Sequence, residues 1–191
     1  KITLTATNDR DWNAYSSVIS NQRGKLTVNG GTIEHFGGTD MAYAIDNLTH
    51  TGAQPAVTTV NGATNKSVYR AIRQFLTSAT GSNELYVKAG SKVFGDNKAI
   101  WPQDANAHAN PGKLVVEAGA EIEDVYLSAS SAAKEWPLEI SVASSAFVEG
   151  GEIVLGTIPV GYEVVEINGV WTIAQSYAED GDKLTISSVK G

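Results

Sequence analysis

The sequence contains no cysteine, which excludes disulfides, thiolate nucleophiles and cysteine-ligated zinc sites. It also lacks any apolar run of about 18 residues, the length that a membrane-spanning helix needs. Basic residues are few, at 14 lysines and arginines against 21 acidic residues, and the net charge of -7 repels phosphate backbones. We therefore expect neither membrane insertion nor a nucleic acid partner.

Residues that favour helices are also scarce, with a single methionine, whereas glycine, threonine, serine, asparagine and valine are abundant. This composition predicts a chain that is mostly β. At 191 residues, 42% apolar and 18% charged, the chain is long enough for one domain with a continuous core. It opens on Lys1 without a charged-then-apolar leader, so we expect a processed chain or a piece of a longer protein.

A short segment recurs along the chain. The sequence Val-Asn-Gly-Gly-Thr at 28–32 is echoed from Val60, Val87 and Val116 and more faintly from Val142, at steps of 26 to 32 residues. An alternating strand precedes most of the echoes, and a second apolar pair follows each of them. These pairs are Ala44-Ile45, Ala71-Ile72, Ala99-Ile100, Val125-Tyr126 and Ile153-Val154.

A repeat this short cannot bury its own apolar face and must stack on its neighbours, which predicts a β-solenoid with glycine corners. The corner residues are Gly30, Gly31, Gly62, Gly90 and Gly119. We assign residues 1–158 to the solenoid, with a first rung in 1–24, and residues 159–191 to a capping β-hairpin around an Asn-Gly turn. A β-sandwich remains the alternative fold, and a helix remains the alternative to a strand within 67–76.

Two segments carry a family resemblance. The rung Val-Asn-Gly-Gly-Thr-Ile-Glu at 28–34 and the closing Gly-Tyr-Glu-Val-Val-Glu-Ile-Asn-Gly-Val-Trp-Thr-Ile at 161–173 resemble right-handed β-helix domains of the pectin-lyase-like type. Versions with this closing segment resemble surface proteins of gut bacteria and virion proteins of the phages that infect them. The resemblance covers roughly residues 25 to 173 and implies an all-β, right-handed parallel β-helix of five to six rungs.

The resemblance also implies a function. It implies a non-enzymatic structural or binding module on an exterior surface, foremost a phage head fibre, decoration or tail protein, without catalytic residues or cofactors to carry over. The implied partners are a capsid, sister subunits in a homotrimer, or a host surface glycan. The alternatives are a bacterial cell-surface adhesin and a polysaccharide lyase or hydrolase.

The enzyme alternative needs clustered carboxylates with a base. The nearest candidates are Asp40 and Asp46, with Arg70 and Arg73 one rung later. Because Asp46 and Arg73 each follow the isoleucine of an apolar pair, we expect them to stack as a surface ion pair worth under about 1 kcal/mol. No histidine pair has a metal-ligand spacing.

The acidic group Glu117, Glu121, Glu123 and Asp124 is dense, and we expect Glu121 and Glu123 to share one strand face as a solvated ladder. The aromatic residues are the better candidates for a binding surface, because exposed rings anchor sugars and proteins. The alternative is that they pack loops onto the solenoid wall. The candidate ligand or partner contacts are Trp12, Tyr15, Phe36, Tyr43, Trp101 and Trp136.

Overall fold

The structure, a computed structural model, describes residues 16–36, 42–49, 55–76, 82–104, 112–129, 136 and 138–175. These residues form β-strands and one short 3-10 helix at Ser144–Ala146. The strands are β1 Ser16–Asn21, β2 Gly24–Asn29, β3 Thr32–His35, β4 Ala42–Thr49, β5 Ala56–Asn61, β6 Thr64–Ser67, β7 Arg70–Leu76, β8 Asn83–Val87, β9 Lys92–Gly95, β10 Lys98–Asp104, β11 Gly112–Val116, β12 Glu121–Ile122, β13 Val125–Leu127, β14 Leu138–Ala143, β15 Ile153–Leu155, β16 Tyr162–Ile167 and β17 Val170–Gln175. No helix within these ranges is long and apolar enough to cross a membrane.

The strands form a parallel β-solenoid with three faces. Sheet A has the order β1-β4-β7-β10-β13-β15, sheet B contains β2-β5-β8-β11-β14, and sheet C has the order β3-β6-β9-β12. Successive strands within each face pair in parallel. The all-β solenoid predicted from the repeat is therefore confirmed, and the β-sandwich is excluded.

The number of rungs differs from the prediction of five to six. Among the described residues, four turns contribute a strand to all three sheets and a fifth is incomplete, while most of the predicted first rung at 1–24 lies outside them. In the fifth turn, β14 is followed by the 3-10 helix where a sheet C strand would lie, and Phe147 makes one isolated bridge to Ile122. The faint echo at Val142 thus marks a turn whose sequence no longer supports three strands.

The repeated apolar residues form columns along the solenoid axis. On sheet A, Ile45, Ile72, Ile100, Val125 and Ile153 lie at matching register positions on successive turns. On sheet B, the valines that open each echo pair in the same way, at 28, 60, 87, 116 and 142. In the middle turns these side chains are buried, and each contributes roughly 1.5–3 kcal/mol.

The glycine corners and the segment 67–76, for which a strand and a helix were the alternatives, also agree with the solenoid prediction. Gly30, Gly31, Gly62, Gly90 and Gly119 all have positive φ, between 64° and 84°. An L side chain would be strained in this conformation, which explains why the repeat retains glycine there. The stretch 67–76 contains the end of β6, a turn and β7, so the strand prediction is confirmed and the helix alternative is wrong.

The C-terminal segment forms the predicted hairpin. Strands β16 and β17 pair antiparallel around Asn168 and Gly169, whose φ values of 52° and 78° suit a tight two-residue turn. Strand β17 also pairs antiparallel with β14, where Trp171 lies opposite Val142 and Val170 opposite Ala143. The capping role and the boundary between residues 158 and 159 stay predictions.

Part of the solenoid interior is polar. The buried Asn47 side chain donates from Nδ2 to Asn83 Oδ1 at 2.7 Å and to the Glu84 carbonyl at 2.9 Å. Its Oδ1 accepts from Thr58 Oγ1 at 2.8 Å and from Asn21 Nδ2 at 3.3 Å. This amide network joins sheet A of one turn to sheet B of the next. Its members supply one another with the hydrogen bonds that water would otherwise provide to buried polar groups.

Candidate functional site

The outer face of sheet A carries a cluster of aromatic and charged side chains, which we call the sheet A cluster. Strand register places Asp46, Arg73 and Trp101 side by side on three successive turns. Period-two alternation directs these residues away from the isoleucine column that precedes them. The cluster consists of Tyr43, Asp46, Tyr69, Arg70, Arg73, Phe75, Lys98, Trp101 and Tyr126.

Asp46 and Arg73 form a two-pronged ion pair. Arg73 Nε donates to Asp46 Oδ1 at 2.8 Å, and Nη2 donates to Oδ2 at 2.6 Å. Only 4% of Asp46 and 2% of Arg73 is exposed. The predicted pairing is therefore confirmed, but the prediction of a surface pair is wrong. The Arg73 guanidinium also lies 4.7 Å from the Tyr43 ring centre and 4.6 Å from that of Phe75, so rings surround it.

A second group of contacts alternates rings and cations along the axis. The Arg70 guanidinium carbon lies 4.6 Å from the Tyr69 ring centre and 3.8 Å from that of Trp101. Lys98 Nζ lies 5.4 Å from the Trp101 ring centre and 3.8 Å from that of Tyr126. Such contacts stabilise by about 0.5–2 kcal/mol each and here connect the sheet A strands β7, β10 and β13 of three successive turns.

Two of the six predicted contact residues meet in this cluster. The Tyr43 and Trp101 ring centres are 6.4 Å apart. Trp101 is half-buried, whereas Tyr43 is fully buried, and burial raises the pKa of its hydroxyl although Arg73 and Arg70 counteract the shift. Tyr43 therefore packs sheet A instead of offering a surface contact, as the alternative of wall packing predicted.

The other predicted contact residues do not join them. Phe36 follows β3 and is exposed, while Trp136 is half-buried and packs against the core. Trp12 and Tyr15 lie outside the described residues, as does Asp40. The described members of the predicted set thus occupy three separate places.

The four acidic residues 117, 121, 123 and 124 of the fourth turn form hydrogen bonds or ion pairs with residues of the third and fifth turns. Lys88 Nζ donates to Glu117 Oε1 at 2.6 Å, which lowers the pKa of that carboxyl, and Lys92 Nζ lies 2.7 Å from Glu121 Oε2. Glu123 Oε2 accepts the backbone N–H of Gly95 at 2.7 Å, and Asp124 Oδ1 accepts that of Glu152. Of the two glutamates predicted to form a solvated ladder, Glu121 is exposed and Glu123 is half-buried, and each contacts the preceding turn.

Catalysis by the described residues would need clustered metal ligands or an activated nucleophile. No group of three or more histidines and carboxylates within them is arranged to hold a metal ion. Ser16 Oγ lies 2.9 Å from His35 Nε2, a contact that could activate a hydroxyl nucleophile. His35 is buried, however, whereas a hydrolase needs its base within reach of substrate and of oxyanion donors.

Sequence reasoning missed Tyr69, Lys98 and Tyr126 as members of the sheet A cluster. A signal for Tyr126 was present, since it follows Val125 as Trp101 follows Ile100 in the preceding repeat. Tyr69 and Lys98 each lie at the entry to a sheet A strand, where the repeat alone predicts no side-chain contact.

In comparisons with known proteins, no protein-family model matches the chain, and neither the curated proteins nor the solved structures give a significant match.

Proposed function

We propose that this chain is a non-enzymatic structural and binding module displayed on an exterior surface, and in particular a virion protein of the head-fibre, decoration or tail type. The observation that supports the proposal is a set of ion pairs that join residues of neighbouring turns. Asp46 is held by Arg73, Glu117 by Lys88, and Glu121 by Lys92. The buried Asp46–Arg73 pair suits a stiff spacer because it resists separation of two neighbouring turns, and the two exposed pairs add little to it.

The same contacts weigh against polysaccharide cleavage at the sheet A cluster. A general acid or base must exchange a proton with substrate, and a catalytic carboxylate needs a partner carboxylate or a bound cation nearby. Both oxygens of Asp46 accept hydrogen bonds from Arg73 in a buried site. A carboxylate held in this way is suited to structural support.

The virion assignment draws on the closing segment. In sequence, residues 161–173 resemble closing segments of surface proteins of gut bacteria and of virion proteins of their phages, and most of these residues lie in β16 and β17. A capsid or sister subunits are the partners that this proposal assigns, and a host surface glycan is the ligand. Half-exposed Trp101 and exposed Phe36 support a binding role, since aromatic side chains anchor such contacts.

The location is tested by immunogold electron microscopy of the native source with antibodies raised against the purified chain. Label on purified virions, at reproducible sites, is the expected result. Label confined to the bacterial envelope in particle-free cells would overturn the virion assignment and favour the adhesin.

The non-enzymatic part is tested separately with purified protein. The chain is incubated with neutral and acidic polysaccharides, and new reducing ends and unsaturated products are measured. We expect no products. Cleavage that disappears in Asp46→Asn or Ser16→Ala would overturn this part, and Lys66→Ala, an exposed change in β6, controls for general effects of mutation.

A further inference from the structure

The two ends of the solenoid differ in charge while sharing exposed apolar residues. At the C-terminal end, Val160 is fully exposed and Leu155 and Ile167 are 52% and 54% exposed. A cavity of about 450 Å³ lies between the last turn and the hairpin, lined by Phe147, Ile153, Leu155, Val164 and Trp171 among others. Val160 precedes β16 and Ile167 ends it, so the exposed apolar groups extend from the cavity along the hairpin, as in a contact surface.

Negative charge surrounds these apolar groups. Residues 138–175 contain no lysine or arginine. Four of their glutamates are exposed at this end, namely Glu149, Glu152, Glu163 and Glu166. The C-terminal end is therefore apolar at its centre and acidic around it.

The N-terminal end has a complementary character. A cavity of about 570 Å³ is lined by Ile19, Leu26, Val28 and Ile33 of the first turn and by the residues around the Gly30-Gly31 corner. Leu26 and Val28 remain half-exposed, although their counterparts Leu85 and Val87 in the third turn are fully buried. The apolar column is thus open at this end of the described residues.

Positive charge lies beside this opening. Arg23, just before β2, and Lys25, within it, are both exposed where sheet B ends on this side, and the half-buried Glu34 of β3 is the one carboxylate among residues 16–36. Contacts between unlike charges steer association and fix its direction, whereas two C-terminal ends facing each other would bring glutamates together.

We propose that copies of this chain associate head to tail, with the acidic C-terminal end of one copy docked on the basic N-terminal end of the next. The apolar surfaces supply the buried centre of the contact, and the charged residues around them select the partner end. Because the two surfaces are different, the contact is heterologous and extends into a filament instead of closing a two-fold dimer. The inference concerns self-association and does not depend on the exterior location proposed above.

The hairpin limits how the copies meet. Strand β17 pairs with part of β14, so sheet B cannot simply continue into the next copy. The docking surface is therefore formed by side chains of β15, the hairpin and the 155–160 segment, with β15 as the last strand of sheet A. Such a contact assembles reversibly, because it does not require continuous strand pairing across copies.

Sedimentation velocity of the full chain over a range of concentrations tests the proposal. We expect the mean mass to rise above the 20.1 kDa monomer with concentration and to fall again at high salt, which screens the charged contacts. A C-end variant, Glu152→Lys with Glu163→Lys, and an N-end variant, Arg23→Glu with Lys25→Glu, each weaken self-association by about tenfold or more. Asp96→Lys, an exposed change in the third turn, is the control that leaves association unchanged.

One combined variant identifies the direction of the contact. Putting all four substitutions in one chain restores part of the self-association, because the two introduced lysines at one end meet the two introduced glutamates at the other. Strictly monomeric wild-type chain overturns the proposal, as does a closed trimer that the end variants leave intact or a four-fold variant as weak as its parents. Circular dichroism melting of each variant confirms that the fold is kept, and none of these outcomes bears on the electron microscopy test of location.

Discussion

Sheet A and the other two faces of the solenoid pair opposite charges across turns, but the pairs differ in burial. Asp46 and Arg73 on sheet A are almost entirely buried. Lys88 and Glu117, at the corner after sheet B, and Lys92 and Glu121, on sheet C, are each more than a third exposed. Water screens the second kind of pair and not the first, so only the buried pair makes its two turns strongly dependent on each other.

The largest expected effect comes from placing a charge in the apolar interior. Val116→Asp buries a carboxylate without a partner and should abolish cooperative thermal unfolding. Val115→Asp, on the neighbouring half-exposed position of β11, is the matched control and should melt close to wild type. Equal melting temperatures for the two variants would contradict the assigned faces of β11.

The buried ion pair gives the next effect. Arg73→Met leaves the Asp46 carboxylate buried and uncompensated, which should cost about 3–5 kcal/mol of unfolding free energy in urea titrations. The double variant Arg73→Met with Asp46→Leu should recover much of this loss, because no buried charge remains. A double variant less stable than Arg73→Met alone would contradict this expectation, because the unpaired Asp46 carboxylate would then not be what destabilises the single variant.

Breaking the interior amide network should cost less unfolding free energy than breaking the ion pair, since no charged group is left buried. Asn47→Ala removes hydrogen bonds to Asn83, Glu84 and Thr58, and should cost about 1–3 kcal/mol. The control is Asn61→Ala, which removes an exposed hydrogen bond to Asn29 on the corner of the same solenoid. Urea titrations of both variants measure the difference, and a larger loss in Asn61→Ala would contradict the stabilising role of burial.

The smallest effect is expected at the exposed pair of Lys88 and Glu117. The ammonium lowers the pKa of the Glu117 carboxyl, so the pair stabilises the fold at pH above the ordinary glutamate range. That contribution is lost as the pH falls through the lowered pKa of the folded state. Lys88→Ala should return the pKa of Glu117 towards its ordinary value with almost no change in melting temperature, as measured by NMR titration of side-chain carboxyls. An unchanged pKa would show that Lys88 does not carry the shift.

The repeat determined the parts of the fold that depend on periodic burial. Valine columns, glycine corners and the Asn-Gly hairpin were all predictable, because the spacing of apolar residues indicates strand faces and glycine indicates positions of positive φ. The third strand of each turn was not predicted as a separate element, since strands such as β12 have only two residues. The incomplete fifth turn was missed for a similar reason, as a faint repeat does not reveal where a 3-10 helix replaces a strand.

The sequence by itself also placed Asp46 opposite Arg73, because both residues follow the isoleucine of a repeated apolar pair. Only the tertiary structure decided that this pair is buried, that Tyr43 is enclosed, and that Arg70 and Lys98 lie against Trp101. Register along an axis follows from the length of the repeat, which is a property of the chain. Burial depends on the side chains that neighbouring turns bring over a residue, and those come together only when the chain has coiled.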